Sequence, residues 1–236
     1  ILSRYNSRRL PGKALMLLNG KTVIETIVER LMQVLDLEDI VIATSVEDTD
    51  NPIVDYAHNK GFNIYRGSLE NVAERFYLAA KKQDWDYAIR INGDNVFVDI
   101  KLLQQMIDVA KKNNYHFLSN VKNRTYPKGM SIEIVNLNYY CSILENINKS
   151  ESYKEHVTLY LYENETLEHY YFYNFDLPEA SGIQLALDTK EDFERTKKIM
   201  CKFAENHTKY NLKEIFKIYK SLEENDFVYR VFTGYP

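Results

Sequence analysis

Short runs of β-branched and aromatic residues alternate with longer amphipathic segments along this chain. That alternation restricts the fold more than any other feature. Residues 22–35 set Ile24, Ile27, Val28, Leu31 and Leu35 on one helical face, with Glu25, Glu29 and Arg30 outside. Residues 39–44 are rich in β-branched side chains and read as a buried strand. Asn51-Pro52 starts a helix, Gly61 stops it, and 62–65 is a strand. Ser68 caps a helix to about residue 82, and 85–91 is a strand ending at Asn92-Gly93-Asp94. A helix over 100–112 and a strand over 115–118 follow. Strands separated by helices predict a mostly parallel sheet covered on both faces, a three-layer α/β domain. Past residue 120 the pattern changes. Lys122, Arg124, Tyr126 and Lys128 crowd a turn around Pro127 and Gly129, and 131–135 alternates like an exposed strand. This predicts a small antiparallel excursion near 120–136. Helices are expected at 138–148, 154–162, 191–205 and 212–224, and strands at 170–175 and 183–187. With no repeat, low-complexity tract or Gly/Ser linker, residues 1–236 read as one domain.

Composition narrows the class. The chain has 236 residues and is 45% hydrophobic. A domain of this size buries roughly 70–75% of its unfolded surface and needs no staple. No apolar run reaches transmembrane length and no secretory signal is present, so a cytoplasmic protein without a membrane partner is expected. The first residue is Ile1 rather than Met, which reads as a chain cut within or just after a first strand. Cys141 and Cys201 show no metal-ligand spacing and are expected as reduced, partly buried thiols.

Charge is distributed unevenly. Residues 1–24 hold five cations and no acid, while the whole chain carries −4, so the remainder carries −9. Four of those cations, Arg4, Arg8, Arg9 and Lys13, fall within the first thirteen residues. One basic loop is not a basic face, so nucleic acid is not an expected partner. The loop reads either as a solvated turn or as a cradle for a highly charged anion, most simply a nucleoside triphosphate. Backbone N–H groups and forked Arg donors suit phosphate oxygens.

Two carboxylates stand at ends of expected strands. Asp94 follows Gly93, where open α/β sheets bind ligands and where a plain turn is equally common. Asp188 ends 183–187 and precedes Glu191-Asp192, so it reads as a ligand or as the cap of the next helix. Arg66-Gly67-Ser68 is an ordinary strand-to-helix connection. Arg124 and Lys128 read as anion donors or as solvated turn charges. His156 on a helix reads more simply as structural than as a substrate ligand. No Ser–His–Asp arrangement, Cys nucleophile or zinc spacing is present.

The run Arg4-Tyr5-Asn6-Ser7-Arg8-Arg9-Leu10-Pro11-Gly12-Lys13 resembles the opening signature of the CMP-sugar synthetases. Within that cytidylyltransferase family it is most similar to two branches. These are the spore-coat polysaccharide proteins and the 3-deoxy-manno-octulosonate cytidylyltransferases. Residues 90–99, 66–76, 123–133, 155–158 and 185–189 resemble further family segments in the same order. Asn95-Val96 departs from the Cys-Pro that follows Gly-Asp in the spore-coat branch, and Ser131 stands where that branch has Asp.

The resemblance implies a nucleotide-diphospho-sugar transferase type of fold. It also implies transfer of CMP from CTP to a sugar acid, release of pyrophosphate, and a homodimer. Arg4, Ser7, Arg8 and Lys13 then match the triphosphate loop, with Arg4, Arg8 and Lys13 stabilising the departing pyrophosphate. Arg66 and Ser68 match nucleotide contacts, Asp94 and Asp188 carboxylates for Mg²⁺, and Arg124, Lys128, Glu133 and His156 the acceptor side. Two other readings stay open, a metal-dependent glycosyltransferase using a nucleotide-sugar and a non-catalytic domain of the same fold.

Overall fold

The computed structural model describes residues 1–233, with side chains described as far as 224. A hairpin of β1 (Leu17–Leu18) and β2 (Lys21–Thr22) leads into α1 (Val23–Leu31). β3 (Val41–Ser45), α2 (Asn51–Lys60) and β4 (Asn63–Gly67) form a unit in which β3 and β4 are parallel. Then come α3 (Val72–Lys81), β5 (Tyr87–Arg90), α4 (Ile100–Lys112) and β6 (Phe117–Ser119). β7 (Glu133–Asn136), α5 (Leu137–Ile147), α6 (Glu151–Glu155), α7 (Leu159–Glu163) and β8 (His169–Tyr171) follow. Helices α8 (Lys190–Met200) and α9 (Leu212–Thr233) complete the order.

The strands form a mixed sheet. β5, β7, β6 and β8 lie in that order, and β3 pairs with β4. Residues 1–3 lie between the two groups. Leu2 bridges in parallel to both Ala43 and Asn92, and its N–H and C=O bond Ile91 and Gly93 at 2.9 and 2.8 Å. The antiparallel element expected near 120–136 is β7, set between β5 and β6. It is buried rather than exposed, because pairing on both edges places Ile134 and Val135 in the core. One buried cluster draws on α1, α4, α8 and α9 and a second on α3 and α5, so helices supply both cores.

Several expectations change in detail. Residues 183–187 are not a strand. Their backbone bonds go to Lys128 and Asp94, and a Cβ on Gly129 would stand 2.3 Å from the Ala186 nitrogen. The helix expected over 154–162 breaks between α6 and α7. There Tyr140 OH donates to Val157 O at 2.7 Å, and Thr158 donates to buried Glu133 at 2.8 Å. Arg30 is fully buried, not outside: its guanidinium donates to the carbonyls of Val98, His207 and Tyr210. The segment around 207–210 covers a side of α1 that periodicity alone assigns to water. Both cysteines are exposed, with Tyr77 OH 3.0 Å from the Cys141 sulfur.

Asp50 fixes the start of the chain on this scaffold. Its buried carboxylate accepts from Tyr5 N at 2.7 Å, Thr44 Oγ1 at 2.9 Å, Ser45 N at 3.0 Å and Ser45 Oγ. Burial alone would raise its pKa. The bonds from Ser45, Tyr5 and Thr44 outweigh burial and hold it below the ordinary Asp value. A depressed carboxylate stabilises fully above its unfolded pKa of about 4, and that stabilisation is lost as pH falls through the folded value. Asp50→Asn is therefore expected to cost about 2 kcal/mol at pH 7, a fall in Tm of about 4–8 °C. Melting both proteins from pH 7 down to 3 should show the gap closing at the acid end. A gap independent of pH would mean that Asp50 does not act as an anion.

Candidate active site

Past Ser3 the chain leaves the sheet and folds back on itself. Gly12 N and Ser7 N both donate to Tyr5 O, at 2.7 and 3.0 Å. Gly12 has φ +74° and packs against the Tyr5 ring, a conformation that suits glycine. The short 3₁₀ turn Lys13–Leu15 then carries Lys13 back over the sheet. Gly93 is required beside it, since a Cβ there would fall 2.7 Å from Ser3 Oγ.

Lys13 gathers the two candidate metal carboxylates. Its Nζ donates to Leu187 O at 2.8 Å and lies 3.5 Å from both Asp94 Oδ2 and Asp188 Oδ1. Leu187 N donates to Asp94 O at 3.1 Å, so the backbone itself ties the two acids together. Burial pushes the Asp94 carboxyl above its ordinary value, Lys13 opposes that, and the like charge of Asp188 adds to it. Asp188 is not the helix cap. Thr189 caps α8 in a reciprocal box with Asp192, which also accepts from Asp188 N at 3.2 Å. The Asp188 carboxylate therefore turns to cations, with Arg9 at 2.8 Å.

A cavity of about 460 Å³ opens beside this cluster. Arg4, Ser7, Arg8, Lys13, Asp94 and Asp188 line it, as does His156. Arg4 pairs with Glu155 of α6 at 3.3 Å, while Arg8 is exposed and forms no ion pair among the described residues. Other expected residues lie elsewhere. Arg66 donates to the carbonyls of Ser45 and Glu47 at 3.0 and 2.9 Å, and Ser68 Oγ accepts from Asn71 N at 3.0 Å. Arg124 and Lys128 stay exposed on their turn, outside the lining. Glu133 is 2% exposed and holds Arg90, Thr158 and Tyr162 beneath the cavity.

Sequence reasoning missed Arg9, Arg75, Arg90 and Asn92, which also line the cavity. Arg75 had a readable signal. It falls among Val72, Phe76 and Ala79 at helical spacing, a charge set into an apolar stripe.

A mixed α/β sheet with a basic loop, two converging carboxylates and an arginine-lined cavity defines a nucleotide-transferring class of fold and site. A family model described as cytidylyltransferase matches residues 1–229, and the chain belongs to this family. It is a CTP-dependent nucleotidyltransferase. It is 34% identical over 214 residues to the Bacillus subtilis spore coat polysaccharide biosynthesis protein SpsF, covering 87% of this chain and 86% of that protein. A solved cytidylyltransferase from Leptospira borgpetersenii superposes with a TM-score of 0.83 at 28% identity, covering 94% and 93% of the two chains. A CMP:2-keto-3-deoxy-manno-octonic acid synthetase solved with CTP shares the fold, with a TM-score of 0.63 at 17% identity over 85% and 96%.

The separation of capping from the Asp188 carboxylate gives a test. Asp188→Asn is expected to leave Tm within about 2 °C of wild type while turnover falls on the order of 100-fold. Thr189→Ala should do the reverse, costing about 1 kcal/mol of stability. A large Tm loss in Asp188→Asn with activity retained would reverse the assignment.

Proposed function

We propose that the chain transfers the cytidylyl group of CTP to a sugar acid of ulosonic type, giving a CMP-sugar and pyrophosphate for cell-surface polysaccharide. The observation that carries this reading is the convergence of Lys13, Asp94 and Asp188 beside an arginine-lined cavity. Its similarity to SpsF, a protein named for spore coat polysaccharide, supports the destination of the product.

The arrangement suits in-line displacement at the α-phosphorus. An acceptor hydroxyl oxygen bonds to that phosphorus, and the bond to the oxygen bridging to the β-phosphorus breaks. The electron pair leaves with pyrophosphate, and the hydroxyl proton passes to solvent. Arg4, Arg8 and Lys13 offset the charge that develops on the leaving oxygens, the electrostatic work that dominates such transfers. The Ser7 hydroxyl supplies a further donor. His156 lines the cavity beside Glu155, at a position suited to an acceptor hydroxyl.

Asp94 and Asp188 fit a Mg²⁺ site, since the pair already takes one cation between them and offers hard oxygen donors. Mg²⁺ held there would neutralise phosphate charge. The same reading makes the protein a homodimeric enzyme of the cytoplasm.

The test is pyrophosphate release from CTP and Mg²⁺ across a panel of sugar acids. At least one acid should give turnover, with ATP, GTP and UTP much poorer donors. CTP at ~100 times its Kd should also stabilise the fold by about 2.7 kcal/mol. Equal stabilisation by all four nucleotides, or no release with any acid, would sink the proposal.

A further inference from the structure

Three arginines are buried or nearly so, and they differ in how their charge is met. Arg30 is 0% exposed and has three carbonyl acceptors around its fork. Arg90 pairs with buried Glu133. Arg75 is 2% exposed, yet its one side-chain hydrogen bond among the described residues is from Nη1 to Ser68 O at 2.7 Å. Its Nε is buried with no partner, and among the described residues no carboxylate forms an ion pair with it. Burial pulls its pKa down to about 10, and the neighbouring Arg4 charge acts in the same direction. Desolvating a guanidinium is costly unless acceptors replace the water. Arg30 and Arg90 have those acceptors within the protein, Arg90 through the Glu133 carboxylate although its own Nε is also unpartnered. Arg75 does not, and it lines the cavity.

Its setting meets the triphosphate loop only through the charge of Arg4. Arg75 projects from α3, a ten-residue helix, and its backbone N–H bonds Asn71 O at 3.0 Å. Gly67 lies against its stem, where a Cβ would come 2.9 Å from Arg75 Cγ. The charges that act on it are Arg4, Asp50 and Glu155, whereas Asp94 and Asp188 are met by Lys13 and Arg9. No ion pair joins the two groups among the described residues. The cavity therefore holds two electrostatic centres, a loop centre around paired acids and a helix centre around an unpaired cation.

We propose that Arg75 is the seat of a second oxyanion, the carboxylate of the acceptor, bound separately from the triphosphate. This rests on the sugar-acid reading given above. A fork held rigid on a helix and left without an acid matches a planar carboxylate in both charge and geometry. The alternative source of an oxyanion is the nucleotide's own α-phosphate, and the two predict opposite results.

The experiment is calorimetric titration of wild type, R75Q and R75K, first with CTP and Mg²⁺. The CTP-loaded proteins are then titrated with 3-deoxy-manno-octulosonate or with its neutral methyl ester. R75Q should bind CTP within about twofold of wild type and lose about 10- to 100-fold in affinity for the acid, the range of one charge-assisted contact. Ester binding should be unchanged between the two. R75K should fall between them, and the Tm of R75Q should match or exceed that of wild type, because an unmet buried charge has been removed. In turnover the loss should fall on the acceptor KM.

A tenfold or larger loss of CTP affinity in R75Q would assign Arg75 to the nucleotide and overturn the proposal. So would equal binding of acid and ester by wild type, or a marked drop in Tm for both variants. If wild type binds the acid but releases no pyrophosphate, the transfer reading fails while the anion seat stands. If wild type binds CTP and no acid, both fail.

Discussion

A single ammonium group holds three distant parts of this chain together. Lys13 meets Leu187 O, Asp94 and Asp188, so the end of the basic loop, the turn after β5 and the segment before α8 converge on it. Lys13 opens a three-residue 3₁₀ turn, and the two acids lie outside any helix or strand. Their positions follow from what each is tied to: the loop to Asp50, Asp94 to Leu187 N, and Asp188 to the capping box of α8. Two carboxylates brought this close repel unless a cation separates them, and burial strengthens that repulsion. The arrangement is thus held by charge as much as by packing, and any ligand that replaces Lys13 between the acids must itself be cationic.

The sheet explains why the convergence occurs where it does. β3, β5 and residues 1–3 run parallel, so their carboxyl ends open on one edge, and the loop, Asp94 and the cavity all lie past that edge. This is the crevice where open α/β sheets collect ligands. β7, inserted antiparallel between β5 and β6, places Glu133 under the cavity, where it fixes Arg90 from below. The floor of the site is therefore built from a strand whose sequence reads as exposed.

Much of this was legible because local signals and global structure agree. Alternating strands and helices give the layers, and α4 matches its amphipathic segment end to end. The loop and Asp94 could be read because clustered charge and a strand-end Gly-Asp are local patterns. Arg30 could not be placed by those rules, and for Arg75 helical spacing showed a charge set into an apolar stripe but not what it faces. Both sit on helices whose faces are decided by segments far away in sequence, 207–210 for Arg30 and the cavity wall for Arg75. Asp188 was ambiguous for a different reason. Thr189 and Asp192 can cap the helix as well as Asp188 can, and only the hydrogen bonds decide between them. The strand expected over 183–187 failed because an apolar run shows that a segment is buried, not which edge receives its backbone bonds.

The internal pairs of the cavity have a consequence for how it answers to salt. Arg9 with Asp188, Lys13 with both acids, and Arg4 with Glu155 leave a site in which most charges are already matched. Away from Arg8 and Arg75, an anion arriving there exchanges partners rather than filling an open field. Mobile ions weaken the arriving contacts, and they weaken the resident pairs that must give way as well. The two effects oppose each other, so occupancy should vary far less steeply with ionic strength than the number of cations around the cavity suggests.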